Sequence, residues 1–276
     1  MKNRLLCFLT SLCCLFPLGA VAAPPTEPTY SFSVAPQFER RKLFSIWQPI
    51  VDDLQRRTGL RFELVTSLSV GEYDRDAKNG RFDFIYVNPY MVPLIDQRPG
   101  YEPLIRDSAP LRGILVVRKD SQIQRVEDLR DKSLAVPSMS ALAASLLLRA
   151  ELDRDFGVNT RPAIAKTHGS VFLHVINGLA DAGGSSQKAF AEQDERIRNS
   201  LKVLHTTRDV PSHPIAGHTR VPSKVRERVR QAFLEMSVDP QGRALLAEVP
   251  MREAVVARAK DYQVLKALKL DSYLEE

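Results

Sequence analysis

Cysteine is confined to one end of this chain. Cys7, Cys13 and Cys14 all stand near the N-terminus, and the remainder of the 276 residues holds none. Disulfides, thiolate metal sites and cysteine nucleophiles are thereby excluded from the body of the protein, which is large enough to fold without such staples. Long apolar runs are missing too, since beyond the N-terminus no segment approaches the roughly 18 uninterrupted apolar residues of a membrane helix. Charge of one sign is only mildly in excess, with 39 Lys and Arg against 33 Asp and Glu. The excess is spread along the chain instead of gathered in a patch, so nucleic acid is not expected as a partner, whereas a small anion is permitted.

What is present begins with MKNRLLCFLTSLCCLFPLGAVAAPP. Lys2 and Arg4 precede an apolar run from Leu5 to Leu18, and Ala20-Val21-Ala22 follows it. This is the pattern of a secretory signal peptide over residues 1–22, cleaved after Ala22, and it implies an exported, monomeric protein of the periplasm that begins at Ala23. A lipoprotein reading would use Cys13 or Cys14, but both lie inside the apolar run instead of at its end. Taking away Lys2 and Arg4 lowers the 39 basic residues to 37, a net charge of +4 against the 33 acidic ones. With 44% hydrophobic and 26% charged residues, the chain can bury one large core or two small ones.

Strand and helix patterns then alternate. YSFSVA reads as a strand, and Leu43, Phe44, Trp47, Ile50, Val51 and Leu54 fall at helical spacing before a stop at Gly59. RFELVT and DFIYV are further strands, separated by a polar helix that ends near Gly80. YEPLIR and RGILVVRK follow as consecutive strands. After them come SLAVP, the helix SALAASLLLRAELDRDFG, the strand RPAIAKT, the helix SVFLHVING and the short strand ADAGG. LKVLHTT and HPIAGHTRV then lead into a helical C-terminal part. Alternation of this kind predicts an α/β fold with parallel strands and helices on the sheet faces. Two such units are expected, each a sheet flanked by helices, joined by two crossover segments. The first lobe spans 29–117 and 214–276, and the second spans 118–213.

In open α/β sheets ligands gather beyond the carboxyl ends of strands. Four such ends carry small polar residues: Gln37 after the first strand, Asn88 and Tyr90 after DFIYV, Ser138-Met139-Ser140 after SLAV, and Thr167-His168-Gly169-Ser170 after RPAIAK. Ser138 and Ser140 precede a long helix, where serine caps free backbone N–H groups and where an anion is also favoured. His168 and Ser170 open the next helix in the same way, and protonation of His168 near pH 6.5 would strengthen a contact to an anion. Other constellations are weaker. His205, His213 and His218 do not have zinc-site spacing, because a strand lies between the last two and turns their rings to opposite faces. No GxSxG elbow marks a hydrolase, and ADAGG lacks the third glycine of a dinucleotide fingerprint.

In order, VAPQF, GRFDFIYVNPYMV, LRGILVVRKDS, VEDLRDKSLAVPSMSALAASLL, THGSVFLHVINGLADAGG and HPIAGHTRVP resemble the phosphonate, phosphite and phosphate-binding proteins of bacterial ABC importers, the PhnD-like group. The resemblance runs from about Phe32 to Phe233. It implies a two-lobed type II periplasmic binding protein of the Venus-flytrap kind, without enzymatic activity, metal or cofactor, that closes on a small oxyanion and passes it to an ABC permease. A membrane sensor as partner, and an exported enzyme on the same scaffold, are alternatives of other classes. Carried onto this chain, the family's aromatic falls on Tyr90, its hydroxyl-rich helix start on Ser138, Met139 and Ser140, and its histidine on His168. Tyr90 is then expected to donate to the oxyanion. The acidic residue that usually meets the amine of an aminophosphonate is missing, since that region reads Gly183-Gly184-Ser185-Ser186. A ligand without a cationic amine is therefore expected.

Overall fold

The computed structural model describes residues 28–36, 40–95, 100–249 and 251–274. The leader read at 1–22 and Gln37 lie outside these residues. In chain order, β1 (Thr29–Val34), α1 (Arg40–Thr58), β2 (Arg61–Val65), α2 (Val70–Lys78), β3 (Phe84–Tyr86), α3 (Val92–Ile95) and β4 (Tyr101–Asp107) come first. The middle of the chain holds β5 (Gly113–Arg118), β6 (Ser133–Val136), a π-helical stretch Leu142–Leu147 running into α4 (Leu148–Phe156), β7 (Arg161–Ile164) and α5 (His168–Ile176). It continues with β8 (Ala182–Ser186), α6 (Gln187–Ala191), α7 (Glu195–Ser200) and β9 (Leu201–Thr206). The last part is β10 (Pro214–His218), α8 (Ser223–Met236), α9 (Pro240–Ala247), β11 (Ala254–Val256) and α10 (Gln263–Ala267).

The strands build two sheets, one ordered β11-β4-β10-β3-β1-β2 and the other β7-β6-β8-β5-β9. The predicted two-unit α/β architecture is what forms. Helix α1 buries Leu43, Trp47, Ile50, Val51 and Leu54, the stripe expected from their spacing, and ends at Gly59, whose φ of +63° suits glycine. One assignment is corrected. Residues 113–117 were expected in the first lobe, but β5 pairs with β8 and β9 in the second sheet. Its apolar run is buried on both faces, and such a run marks a central strand without saying in which sheet. The chain therefore crosses between sheets at 108–112 and returns at 207–213.

Strand direction brings the strand ends together. β1 runs parallel to β2 and β3, and β6 runs parallel to β7 and β8, so each sheet collects its carboxyl ends at one edge. The crossovers attach at those same edges: Val87 N–H donates to Pro214 O at 3.2 Å, and Gln187 N–H to Arg112 O at 3.0 Å. They also pair with each other. Leu111 and Val210 exchange backbone bonds of 2.8 and 3.1 Å, Gly113 N–H donates to Thr207 Oγ1 at 2.8 Å, and Arg112 forms an ion pair with Asp209. The two carboxyl edges consequently face one another across a paired hinge.

An apolar cluster also spans the two units, combining Tyr73, Ile85, Val87, Tyr90 and Met91 with Leu142, Leu146, Leu147 and Ala150. The π-helical stretch can sit against its own sheet because the strands beneath it carry glycine. A Cβ on Gly184 would lie 2.2 Å from Ala144 O, and one on Gly113 would lie 2.0 Å from Ala143 O. Gly184→Ala should therefore lower the unfolding free energy by about 1–3 kcal/mol in urea titration, the usual range for overpacking. Wild-type stability in that variant would show that the helix start is not held against β8.

Candidate functional site

Asn88 stands just past β3. Its side-chain carbonyl accepts from Tyr90 N–H at 3.0 Å, and its amide donates across the gap to Ser140 O at 2.8 Å. The strand end of one lobe is thereby tied to the loop that follows β6 in the other. Tyr90 itself is 8% exposed, and its hydroxyl donates to Asp271 Oδ1 at 2.7 Å. Burial first, and then this carboxylate, raise its pKa. A phenol has one O–H, and Asp271 holds it here, so the donation to an oxyanion expected of Tyr90 requires this bond to break.

Ser138 and Ser140 are half-buried, and neither caps the helix that follows. The N-cap position falls on Ala141, without a side-chain hydrogen bond, because the helix opens as a π-turn one residue later than the serine pattern suggests. Among the described residues neither serine hydroxyl has a protein partner, so both remain available to a ligand. Met139 is buried, with Arg149 Nη1 3.7 Å from its sulfur.

The second helix start matches expectation more closely. Thr167 caps α5 by accepting from Ser170 N–H at 3.0 Å, and the Thr167 hydroxyl donates to Ser170 Oγ at 2.8 Å, so Ser170 works within the cap. His168 Nδ1 lies 2.8 Å from Ser185 Oγ, and Ser185 is fully buried on β8. When the serine donates to Nδ1, the ring carries its proton on Nε2, which has no partner among the described residues and can donate to an anion. Ser186 is occupied elsewhere, accepting from Ala189 N–H at the start of α6.

Three contributors were not recognised from the sequence. Tyr86, at the end of β3, is 1% exposed and its hydroxyl has no hydrogen-bond partner among the described residues. Its ring stacks on His213 with centroids 5.5 Å apart and packs against Trp47 at 4.8 Å. His213 ends the return crossover, and Ser185 orients His168. A polar residue immediately before the return strand, and a tyrosine at the strand end, were the available signals.

The histidines are held neutral. Burial pushes His168 down to about 4, and burial, with the repulsion that a protonated His168 would add, pushes His213 to about 4. Protonation of His168 near pH 6.5 is thus corrected. Both rings are nonetheless only half-buried. Tyr86, Asn88, Ser138, Ser140, His168, Ser185 and His213 contribute hydroxyls, imidazoles and an amide, and no carboxylate is among them.

Two lobes hinged at paired crossovers, with neutral donors between facing carboxyl edges, define a solute-binding protein. Residues 32–262 match the family described as ABC transporter, phosphonate, periplasmic substrate-binding protein, and the chain belongs to that family. The family is periplasmic and consists of substrate-binding transport components. Solved structures of the same fold include a binding protein component of an ABC phosphonate transporter from Pseudomonas aeruginosa, with 15% identity, coverage of 88% of this chain and 86% of that one, and a TM-score of 0.75. PhnD1 from Prochlorococcus marinus, in complex with methylphosphonate, has 11% identity, coverage of 87% and 96%, and a TM-score of 0.75. A Xanthomonas citri protein bound to chloride ion has 19% identity, coverage of 89% and 97%, and a TM-score of 0.70.

The histidine pair makes stability depend on pH. Between pH 6.5 and about 4 the unfolded chain binds protons that the folded rings refuse, so stability falls as pH falls through that window. Denaturation midpoints should drop from pH 7 to pH 4.5, and the drop should be shallower in a His168→Asn, His213→Asn double variant. Parallel curves for the two proteins would contradict this assignment.

Proposed function

We propose that this protein captures a small phosphonate-, phosphite- or phosphate-like oxyanion lacking a cationic amine and delivers it to an ABC permease. The observation that carries the reading is the set of neutral donors, without partners among the described residues, at facing strand ends: the Tyr86 hydroxyl, the hydroxyls of Ser138 and Ser140, and His168 Nε2. A desolvated oxyanion needs several donors at once, and neutral groups supply them without a further buried charge. The first turns of the π-stretch and of α5 add backbone N–H groups and the favourable end of a helix dipole. An ammonium group would find no carboxylate in this set. The membership of the chain in a family of transport components supports delivery to a permease, and export through a leader cleaved after Ala22 as a monomer completes the reading.

Binding proceeds by closure. The anion docks on the helix starts of the second lobe, and rotation at 108–112 and 207–213 brings Tyr86 and Asn88 of the first lobe over it. Calorimetry should find phosphite, phosphate or methylphosphonate binding more tightly than 2-aminoethylphosphonate. The reverse order would refute the exclusion of an amine. Tyr86→Phe and Ser140→Ala should each weaken binding by roughly 0.5–1.5 kcal/mol, and by up to about 3 kcal/mol if the oxyanion is fully desolvated. Their double variant should lose less than the sum, because both act on one closed state. Unchanged affinity in both single variants would remove these groups from the site.

A further inference from the structure

The segment after Tyr262 leaves the first lobe and runs onto the second. Its root is firm: Tyr262 is fully buried and donates to Ser212 O at 3.0 Å, while Leu265 and Leu270 are 0% exposed in the cluster shared by the two lobes. Its far end lies on α4. Arg154 donates from Nη1 to Leu268 O at 2.5 Å and from Nη2 to Lys269 O at 2.7 Å, and Arg149 Nη1 donates to Tyr273 O at 2.8 Å. The Tyr273 hydroxyl donates to Asp153 Oδ2 at 2.5 Å, and its ring lies 5.8 and 5.2 Å from the Arg149 and Arg154 guanidinium carbons. Lys269 takes φ +46°, a left-handed conformation that places two successive carbonyls within reach of Arg154.

We infer that residues 268–273 are a latch that holds the two lobes closed. Rotation about the crossovers must separate α4 from a segment rooted in the other lobe, and these contacts must break for it to do so. The latch is also joined to the cleft at two points. Asp271 holds the hydroxyl of Tyr90, which shares a turn with Asn88, the residue bonded to Ser140 O. Arg149 reaches both Tyr273 O and Met139 Sδ, and Met139 lies between Ser138 and Ser140. Closing the latch and ordering the loop after β6 are therefore one event, and the latch lowers the cost of closure for any ligand that needs both lobes.

The test compares the full wild-type chain with Tyr273→Ala and Asp271→Ala, and it has two readouts. Small-angle X-ray scattering without ligand should give both variants a larger radius of gyration than the wild type. Stopped-flow emission of Trp47, which packs on Tyr86, should show phosphite leaving the variants about tenfold faster or more, which corresponds to roughly 1.4 kcal/mol. Tyr273→Phe keeps the ring and loses the bond to Asp153, so its radius should fall between those of wild type and Tyr273→Ala. That conservative variant decides the matter if circular dichroism shows an alanine variant unfolded. Equal radii in wild type and folded variants overturn the latch. Should phosphite leave Trp47 emission unchanged in the wild type, the oxyanion reading has failed for this probe, and the radius alone still decides the latch.

Discussion

The carboxamide of Asn88 is the contact on which the site's geometry depends. A side-chain amide offers a carbonyl and an N–H₂ on one rigid plane, and here they serve different lobes: the carbonyl fixes Tyr90 and the turn after β3, and the amide grips Ser140 O. Because Asn88 follows β3 directly, the edge of the first sheet is indexed to the loop of the second. The crossovers bring the lobes near one another, and Asn88 sets their register. Around that bond lie Tyr86 on one side and the starts of the π-stretch and α5 on the other.

Neutrality is the second organising feature. Ionic contacts occur elsewhere, as where buried Glu151 on α4 accepts from Arg208 Nε at 2.7 Å and lies 2.7 Å from His205 Nε2. That carboxylate is held below its ordinary range because bonds from His205 and Arg208 outweigh the effect of burial. It anchors the return crossover to α4. Among the described residues no comparable partner stabilises charge on His168 or His213, so desolvation decides their state. A site built of neutral donors is well matched to an anion, because the incoming charge meets no carboxylate of like sign and displaces no salt bridge.

Much of the framework was legible in the residues. The stripe on α1, the alternation of strands and helices, the cap at Thr167 and the strand ends at Asn88 and His168 all follow from local periodicity and turn chemistry. What escaped depends on contacts remote in the chain. Tyr90 meets Asp271, 181 residues away, and no local pattern announces that a phenol will be occupied. Ser138 and Ser140 looked like caps because serine before a helix usually is one, yet the π-turn starts late, its carbonyls pressed on Gly113 and Gly184. β5 was placed in the wrong lobe since burial on both faces is the same in either sheet. His213 became part of the site through its stacking on Tyr86, a relation between a crossover and a strand end that only the fold creates.

In the proposed function, neutral histidines from the second lobe and from the crossover meet one oxyanion. Nitrogen-15 NMR of the imidazoles at pH 6, assigned by His→Asn substitution and recorded with and without methylphosphonate, tests it most directly. His168 and His213 are expected to be uncharged in the free protein and both to shift when the ligand is added, whereas His174, on the body of α5, is not expected to respond. Charged rings at pH 6 in the free protein, or a response at His174 and none at His168 and His213, would contradict it.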